Sequence, residues 1–207
     1  MTDRSEYDRG HLSEKDASPS PHEQFAHWLQ EAIASGIVEP TAMCLSTVGP
    51  NGRPSSRMVL LRGQDERGFV FFTNYRSRKG QELEASGYAC LNFWWGDLER
   101  QVRIEGSISR VSAIESDAYW NSRPAESRNA SAASPQSQVI ANREELERKV
   151  ANLAQQCPAG APRPANWGGY RLVPDYFEFW QGGVARMHDR LAYRRGESGW
   201  IIERLAP

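Results

Sequence analysis

Apolar residues recur along this chain with two different periods, and the places where the period changes outline its organisation. Phe25, Trp28, Leu29, Ala32 and Ile33 stand three and four residues apart, the spacing of one helical face. Ser20-Pro21-His22-Glu23 supplies a capping box with proline at the first helical position, and Gly36 supplies the stop. A helix is therefore predicted from Pro21 to just before Gly36. His22 and His27 lie five apart, a poor interval for sharing a metal, and both are read as surface residues. Residues 1–20 are polar and run into Ser18-Pro19-Ser20-Pro21, which predicts a flexible N-terminal arm before a single domain spanning 21–207.

From Thr41 the period falls to two. Thr41–Val48, Pro54–Arg62 and Phe69–Asn74 read as strands, with turns at Gly49-Pro50-Asn51-Gly52 and Asp65-Glu66-Arg67-Gly68, so an antiparallel meander is expected. Phe69–Asn74 is apolar on both faces and is placed centrally. Tyr88–Trp95 also reads as apolar on both faces, whereas Glu99–Val111 alternates, with Val102, Ile104 and Ile108 inward and Gln101, Arg103 and Glu105 outward. Ser77 and Ser112 each open a helix, the second through a Ser112/Glu115 capping box. Residues 124–140, rich in Ser, Ala and Asn, read as a loop with no core of its own. Asn142 then caps a charged helix whose line Leu146, Val150, Leu153 and Cys157 is expected to cover a face of the barrel. Strands follow at Tyr170–Val173, Tyr176–Trp180, Arg190–Arg195 and Trp200–Leu205, with a hairpin turn at Gly196–Gly199. The fold class is mainly β with flanking helices (α+β). No Gly-x-Gly-x-x-Gly and no Walker loop occurs, so the usual parallel-sheet nucleotide sites are absent.

Charge narrows the partners. The chain has 207 residues with 25 Lys and Arg against 26 Asp and Glu, a net charge of −1. No overall basic excess exists to neutralise a nucleic-acid backbone, so anion binding has to come from local clusters. Cys44, Cys90 and Cys157 are odd in number and unpaired in spacing, and read as reduced, buried and structural. The polar N-terminus is no signal peptide and no apolar run is long enough to span a bilayer, so a soluble, cytoplasmic protein without a membrane partner is expected.

Three local clusters carry chemistry. Arg78 and Lys79 occupy the first turn of the Ser77 helix, the wrong sign for the positive end of a helix dipole unless an anion binds there. Arg57 and Arg62 on the neighbouring strand add to the phosphate reading; two solvated side chains at an exposed turn are the other reading. Tyr119 and Arg123, four apart with Ser127 beyond, can converge on one anion or can form a packing pair. Between Phe177 and Arg190, aromatic residues precede a Gly182-Gly183 break, and Arg186, His188 and Arg190 then recur at intervals of two. If extended, that row is either a cationic wall for a planar anionic substrate or the solvated face of an edge strand.

Several runs then occur together in one order: Arg57-Met58-Val59-Leu60-Leu61-Arg62, Phe72-Thr73-Asn74, Ser77-Arg78-Lys79, Leu98-Glu99-Arg100-Gln101-Val102 and Ser122-Arg123-Pro124. Gln136-Ser137, Trp167-Gly168-Gly169, Glu178-Phe179-Trp180-Gln181-Gly182-Gly183, Arg186-x-His188-Asp189-Arg190 and the terminal Arg204-Leu205-Ala206-Pro207 complete the series. From about residue 20 to its end the chain resembles the pyridoxamine 5′-phosphate oxidase family. The resemblance implies an FMN-binding split β-barrel working as a homodimer, with FMN at the subunit interface. It implies oxidation of pyridoxamine or pyridoxine 5′-phosphate to pyridoxal 5′-phosphate, with O2 as electron acceptor and H2O2 as product. Under it, Arg57, Arg78 and Lys79 grip FMN, notably its phosphate. Met58, Val59, Leu60, Leu61, Arg62, Phe72, Thr73, Gln101, Gln136, Ser137, Trp180 and Arg190 complete the flavin site. Tyr119, Arg123 and Ser127, with Arg62, hold the substrate phosphate, and Arg186 and His188 face the substrate ring as the catalytic pair. No metal is implied. Arg4 and Tyr7 fall where the family has a mobile lid.

Three departures from the family pattern stand out: Arg62 for lysine, Phe72 for tyrosine, and Ala130-Ser131-Ala132 for Gly-Ala-Trp. They bear on substrate affinity and identity, not on the flavin. Two alternatives stand beside the main expectation. One is a related flavin oxidase acting on tricyclic phenazine precursors; the retained Tyr119, Arg123 and Ser127 favour a phosphorylated substrate instead. The other is a non-catalytic flavin- or pyridoxal-phosphate-binding module, against which Arg186 and His188 argue.

Overall fold

A computed structural model describes residues 6–207. Helix α1 (Pro21–Ala34) starts at Ser20, whose hydroxyl accepts from the Glu23 amide. The reciprocal half of the expected capping box is absent, because the Glu23 carboxylate accepts from Ser18 instead. The strands are β1 (Ala42–Val48), β2 (Pro54–Leu60), β3 (Gly63–Asp65), β4 (Gly68–Asn74), β5 (Tyr88–Trp95), β6 (Arg100–Arg110), β7 (Trp167–Gln181), β8 (Asp189–Gly196) and β9 (Gly199–Arg204). Helices α2 (Arg78–Ser86), α3 (Ala113–Ser122), α4 (Ala125–Ala133) and α5 (Arg143–Gln156) flank them.

All pairings are antiparallel, in the order β2-β1-β5-β6-β7-β4-β3, with β8 on β7 and β9 on β8. The consecutive strands β2 and β3 thus lie at opposite ends of the path. The chain crosses between them at Leu61-Arg62, where the Leu61 amide donates to the Thr41 carbonyl and the Arg62 amide to the Val70 carbonyl. That crossing curls the sheet into a split barrel and puts Arg62 at its seam. The expected three-strand meander is therefore corrected: β4 pairs with β7 and β3, not with β2. All but one of its residues are buried, and a position beside the long β7 satisfies both of its apolar faces.

The core is aromatic. Phe25 of α1 meets Phe69 and Phe93 at 4.9 Å between ring centroids, and Trp28 meets Phe179 at 5.3 Å. Each such buried ring contributes about 2–3 kcal/mol. His22, expected at the surface, is 8% exposed and stacks on Phe69, because the first turn of α1 tucks under the β4–β7 corner. The two strands expected at Tyr170–Val173 and Tyr176–Trp180 form one strand of 15 residues. Pro174 sits opposite a register shift between Glu105 and Gly106, so its missing N–H falls at a bulge instead of ending the strand. A Cβ on Gly106 would lie 2.1 Å from the Val173 carbonyl oxygen, which is why glycine stands there.

The segment expected as a loop over 124–140 contains α4. Its buried Asn129 donates to the Cys157 carbonyl and accepts from the Ala161 amide at 2.7 Å, contacts no local pattern announces. Helix α5 lies against α4 and fully buries none of its residues, so it does not cover the barrel as expected. Strand β5 is buried on one face only; Tyr88 and Trp94 on the other are 63% and 51% exposed. The three cysteines are free and half-buried, not fully buried. Residues 6–20 form no regular element but lie along the barrel, with Leu12 buried and its amide on Asp189. No helix among the described residues is long and apolar enough to cross a membrane.

Candidate active site

A cleft of about 420 Å³ opens at the barrel seam, the size of one small-molecule ligand. Met58, Val59 and Leu60 of β2 form one wall, and Arg62 follows at the crossing. Phe72 and Thr73 of β4, Lys79 of α2 and Tyr119 of α3 form another. Arg123, Ser127 and Gln136 close the far side, together with Pro124, Ser131 and Trp167. Among the described residues, three cations line this cleft and no carboxylate does.

The floor is a stack. The Phe72 and Tyr119 rings lie 4.0 Å apart at 21°, and Trp167 is nearly parallel to both, at 13° and 8°. Glycine makes this possible: a Cβ on Gly169 would come within 2.8 Å of the Phe72 ring. Arg62 stands over Tyr119 with Cζ 5.9 Å from the ring. Arg123 is the C-cap of α3 rather than part of the helix, and its Cζ lies 5.0 Å from Trp167 and 5.2 Å from Trp120. Burial lowers the pKa of the Arg123 guanidinium below its ordinary value.

Helix α2 delivers Lys79. Ser77 caps it, accepting from the Gly80 amide at 3.3 Å, and the helix begins against the Tyr75 carbonyl, 2.3 Å from where a Gly80 Cβ would sit. Lys79 Nζ donates to Gln136 Oε1 at 3.0 Å, and Thr73 Oγ1 reaches the same oxygen at 3.1 Å. Burial, and then the neighbouring charge of Arg57, lower the Lys79 pKa. Both causes disfavour its charged form, and a bound anion would oppose both.

Other expected residues stand elsewhere. Arg57 does not line the cleft: its guanidinium is held by Glu82 at 3.1 Å, Thr47 at 2.5 Å, Ser55 at 2.6 Å and the Leu45 carbonyl. Arg78 Nε reaches the other Glu82 oxygen at 2.8 Å, and its side chain is 64% exposed. Leu61 is in the core, and Ser137 is exposed with φ of 70°.

Gln101, Trp180, Arg186, His188 and Arg190 belong to a second surface around β6, β7 and β8, and none of them lines the cleft of its own protomer. Gln101 pairs with Trp180 in register, and Trp180 packs against Trp94 and, at 4.7 Å, against His188. The Gly183 amide donates to His188 Nδ1 at 3.1 Å, so the proton of the neutral ring sits on Nε2. Arg190 Nε donates to the buried Glu178 at 2.8 Å, and Arg103 reaches the same carboxylate at 3.0 Å. The expected extended row is not formed. Val184–Arg186 is a turn in which Ala185 and Arg186 have φ of 54° and 63°, so Arg186 is thrown out of line with His188 and Arg190. Two successive non-glycine residues in this region store backbone strain of the kind found at ligand-binding loops. Tyr7 packs edge-on against Trp180 at 5.7 Å; Arg4 lies outside the described residues.

Trp167, Ser131 and Glu82 were not expected as site or support residues. Trp167 was signalled by the glycine pair after it, which only a close approach explains. Ser131 and Glu82 carry no such signal.

Fold and cleft together define a class: a split β-barrel with a cationic, aromatic-floored small-molecule site at its seam. The family described as pyridoxamine 5′-phosphate oxidase matches residues 29–157, and the pyridoxine 5′-phosphate oxidase C-terminal dimerisation region matches residues 167–207. A pyridoxine/pyridoxamine 5′-phosphate oxidase of Burkholderia multivorans is 53% identical over 207 residues, covering 99% of this chain and 97% of that one. One of Thermosynechococcus vestitus is 53% identical over 204 residues, with the same coverage. Among solved structures, PhzG of Burkholderia lata 383, in complex with tetrahydrophenazine-1-carboxylic acid, superposes with TM-score 0.90 at 34% identity, covering 95% of this chain and 98% of that one. A pyridoxamine 5′-phosphate oxidase-related, FMN-binding protein of Nostoc punctiforme shares the fold, with TM-score 0.72 at 22% identity and coverage of 91% and 98%. The chain belongs to the pyridoxamine 5′-phosphate oxidase family, and so to the oxidoreductases. Membership agrees with the FMN cofactor and the split barrel expected from the sequence.

Proposed function

We propose that this enzyme oxidises pyridoxamine 5′-phosphate or pyridoxine 5′-phosphate to pyridoxal 5′-phosphate with FMN. With the amine, water and O2 are consumed, and ammonia and H2O2 are released. The observation that carries the reading is the cleft itself, in which Arg62, Lys79 and Arg123 gather over stacked rings with no carboxylate among the described residues that line it.

The residues fit FMN. Lys79, with a side-chain amide as its partner, stands at the positive end of α2, where a phosphate is favoured by both charge and dipole. Arg78 stands beside it, and Arg57 lies behind as fixed positive charge. Strand β2 ends the sheet path, so its outer edge offers backbone groups to a flavin ring with polar edges. Thr73 and Gln136 line the same cleft.

Bound FMN supplies a two-electron acceptor between the substrate and dioxygen. Tyr119, Arg123 and Ser127, with Arg62, bind the substrate phosphate and so set the position of the ring. Phe72 and Trp167 hold Tyr119 flat, excluding water beneath it. A cleft sized for one ligand cannot enclose both flavin and substrate. In the homodimer we propose, Gln101, Trp180, Arg186, His188 and Arg190 of one protomer complete the cleft of its partner; the dimerisation region spans all of these but Gln101. Arg186 would then hold the substrate beside the reacting carbon, and His188, its proton held on Nε2, would orient the ring.

The test is the absorbance of purified protein before and after pyridoxamine 5′-phosphate is added without air. Flavin colour that bleaches, and returns on admitting air, is expected. Unchanged colour would overturn the reading. The likeness to PhzG supports a second reading, a tricyclic carboxylic acid as substrate, and bleaching by such an acid alone would establish it.

A further inference from the structure

Ser131 stands one helical turn after Ser127 on α4, and both line the cleft. Arg123 Nη2 donates to the Ser131 hydroxyl at 2.8 Å and to the Ser127 carbonyl at 3.3 Å. On one side the guanidinium is backed by Trp167 and Trp120, whose ring centroids lie 4.6 Å from each other. Its other amino nitrogen, Nη1, is buried and has no hydrogen-bond partner among the described residues. The charged groups acting on Arg123 are Arg62 and Arg128, both cations, and the phenol of Tyr119. One side of the fork is thus tied down, while the other is dry, unpaired and unneutralised. A buried donor left in that state is costly unless a ligand supplies the acceptor.

We propose that Ser131 is a positioning residue for the substrate phosphate, its hydroxyl fixing Arg123 so that the remaining donors meet the phosphate already oriented. This rests on the reading of Tyr119, Arg123 and Ser127 as the phosphate site. A long side chain held in its bound conformation loses less freedom on binding, so the hydroxyl contributes to affinity and not to the chemical step.

The experiment compares wild type, Ser131→Ala and Ser131→Thr, all loaded with FMN. Steady-state kinetics are measured with pyridoxamine 5′-phosphate, and calorimetric titrations with pyridoxal 5′-phosphate and with unphosphorylated pyridoxamine. Ser131→Ala is expected to raise KM, and to weaken binding of pyridoxal 5′-phosphate, by about threefold to tenfold, with a much smaller change in kcat. Affinity for pyridoxamine should hold, and Ser131→Thr, which keeps the hydroxyl, should recover most of the loss. Unchanged phosphate affinity in Ser131→Ala, a fall in kcat at constant KM, or a threonine variant as impaired as alanine would overturn the role of Ser131. If wild type binds pyridoxamine as tightly as its phosphate, the phosphate assignment itself fails and the inference with it. If wild type discriminates and Ser131→Ala discriminates equally, only Ser131 is misassigned.

Discussion

Arg78 and Lys79 are adjacent in sequence, in the same helical turn, and have opposite fates. Arg78 reaches Glu82 four residues on, and that carboxylate also takes Arg57, Thr47 and Ser55. Lys79 turns the other way, into a cleft that no carboxylate lines among the described residues, and donates to the amide oxygen of Gln136. The first cation is spent on the fold and the second is left for a ligand. Charge in a motif therefore does not assign a role; the presence or absence of a countercharge does.

The largest effect should come from the neutralised side. Glu82 is 6% exposed, and its loss in Glu82→Ala leaves Arg57 half-buried and unpaired, at a cost of about 3 kcal/mol in unfolding free energy by denaturant titration. Burial works against the charged form, yet hydrogen bonds from Ser55, Thr47, Arg78 and Arg57 hold the carboxyl down to about 2. The folded value lies below the ordinary 4.5, so this contribution is complete above about pH 4.5 and is lost as pH falls toward 2. Glu82→Gln should flatten that part of the stability profile. Full stability in Glu82→Ala would erase the contrast.

On the ligand side, Lys79→Ala should weaken FMN about tenfold in a fluorescence titration while leaving the melting temperature of the apoprotein unchanged or higher. A lower melting temperature with unaltered FMN affinity would place Lys79 with Arg57, as part of the fold.

The smallest effect sharpens the comparison from a third position. His22 is buried, and its Nδ1 has no partner among the described residues, yet it lies outside the cleft. Burial lowers its pKa below 6.5; the charges of Glu66 and Asp65 pull upward and that of Arg195 downward. The unfolded chain therefore takes up the proton first, and stability declines as pH falls below about 6.5. Stability should fall between pH 7 and pH 5, and His22→Phe should abolish that fall. An identical decline in both proteins would show that His22 is not its source.

Much of this was legible locally. The caps at Ser20, Ser77, Ser112 and Asn142, the alternation of β6 and the hairpin at Gly196–Gly199 depend on interactions within a few residues, and the sequence announced each of them. Where it misled, a distant contact had overruled a local preference. Pro174 predicts a break, but a bulge opposite Gly106 carries β7 through. Residues 125–133 carry no apolar stripe, but Asn129 ties α4 to the 157–161 segment. Tyr88–Trp95 looks two-sided because its second apolar face has no cover within the protomer.

From the residues alone come most of the element types, the helix caps and the inventory of cations, together with the family resemblance those residues carry. These depend on side-chain identity and short-range periodicity, and both are written in the chain. Only the tertiary structure decided which cations stay free. The carboxylate that claims Arg57 is 25 residues away, and the oxygen that meets Lys79 is 57 away. Nor does spacing show that Arg62 sits at the barrel seam, or that Trp180 and His188 form a surface apart from the cleft. Those placements follow from the crossing of β2 into β3 and the pairing of β7 with β4, β6 and β8, long-range contacts formed only as the sheet closes.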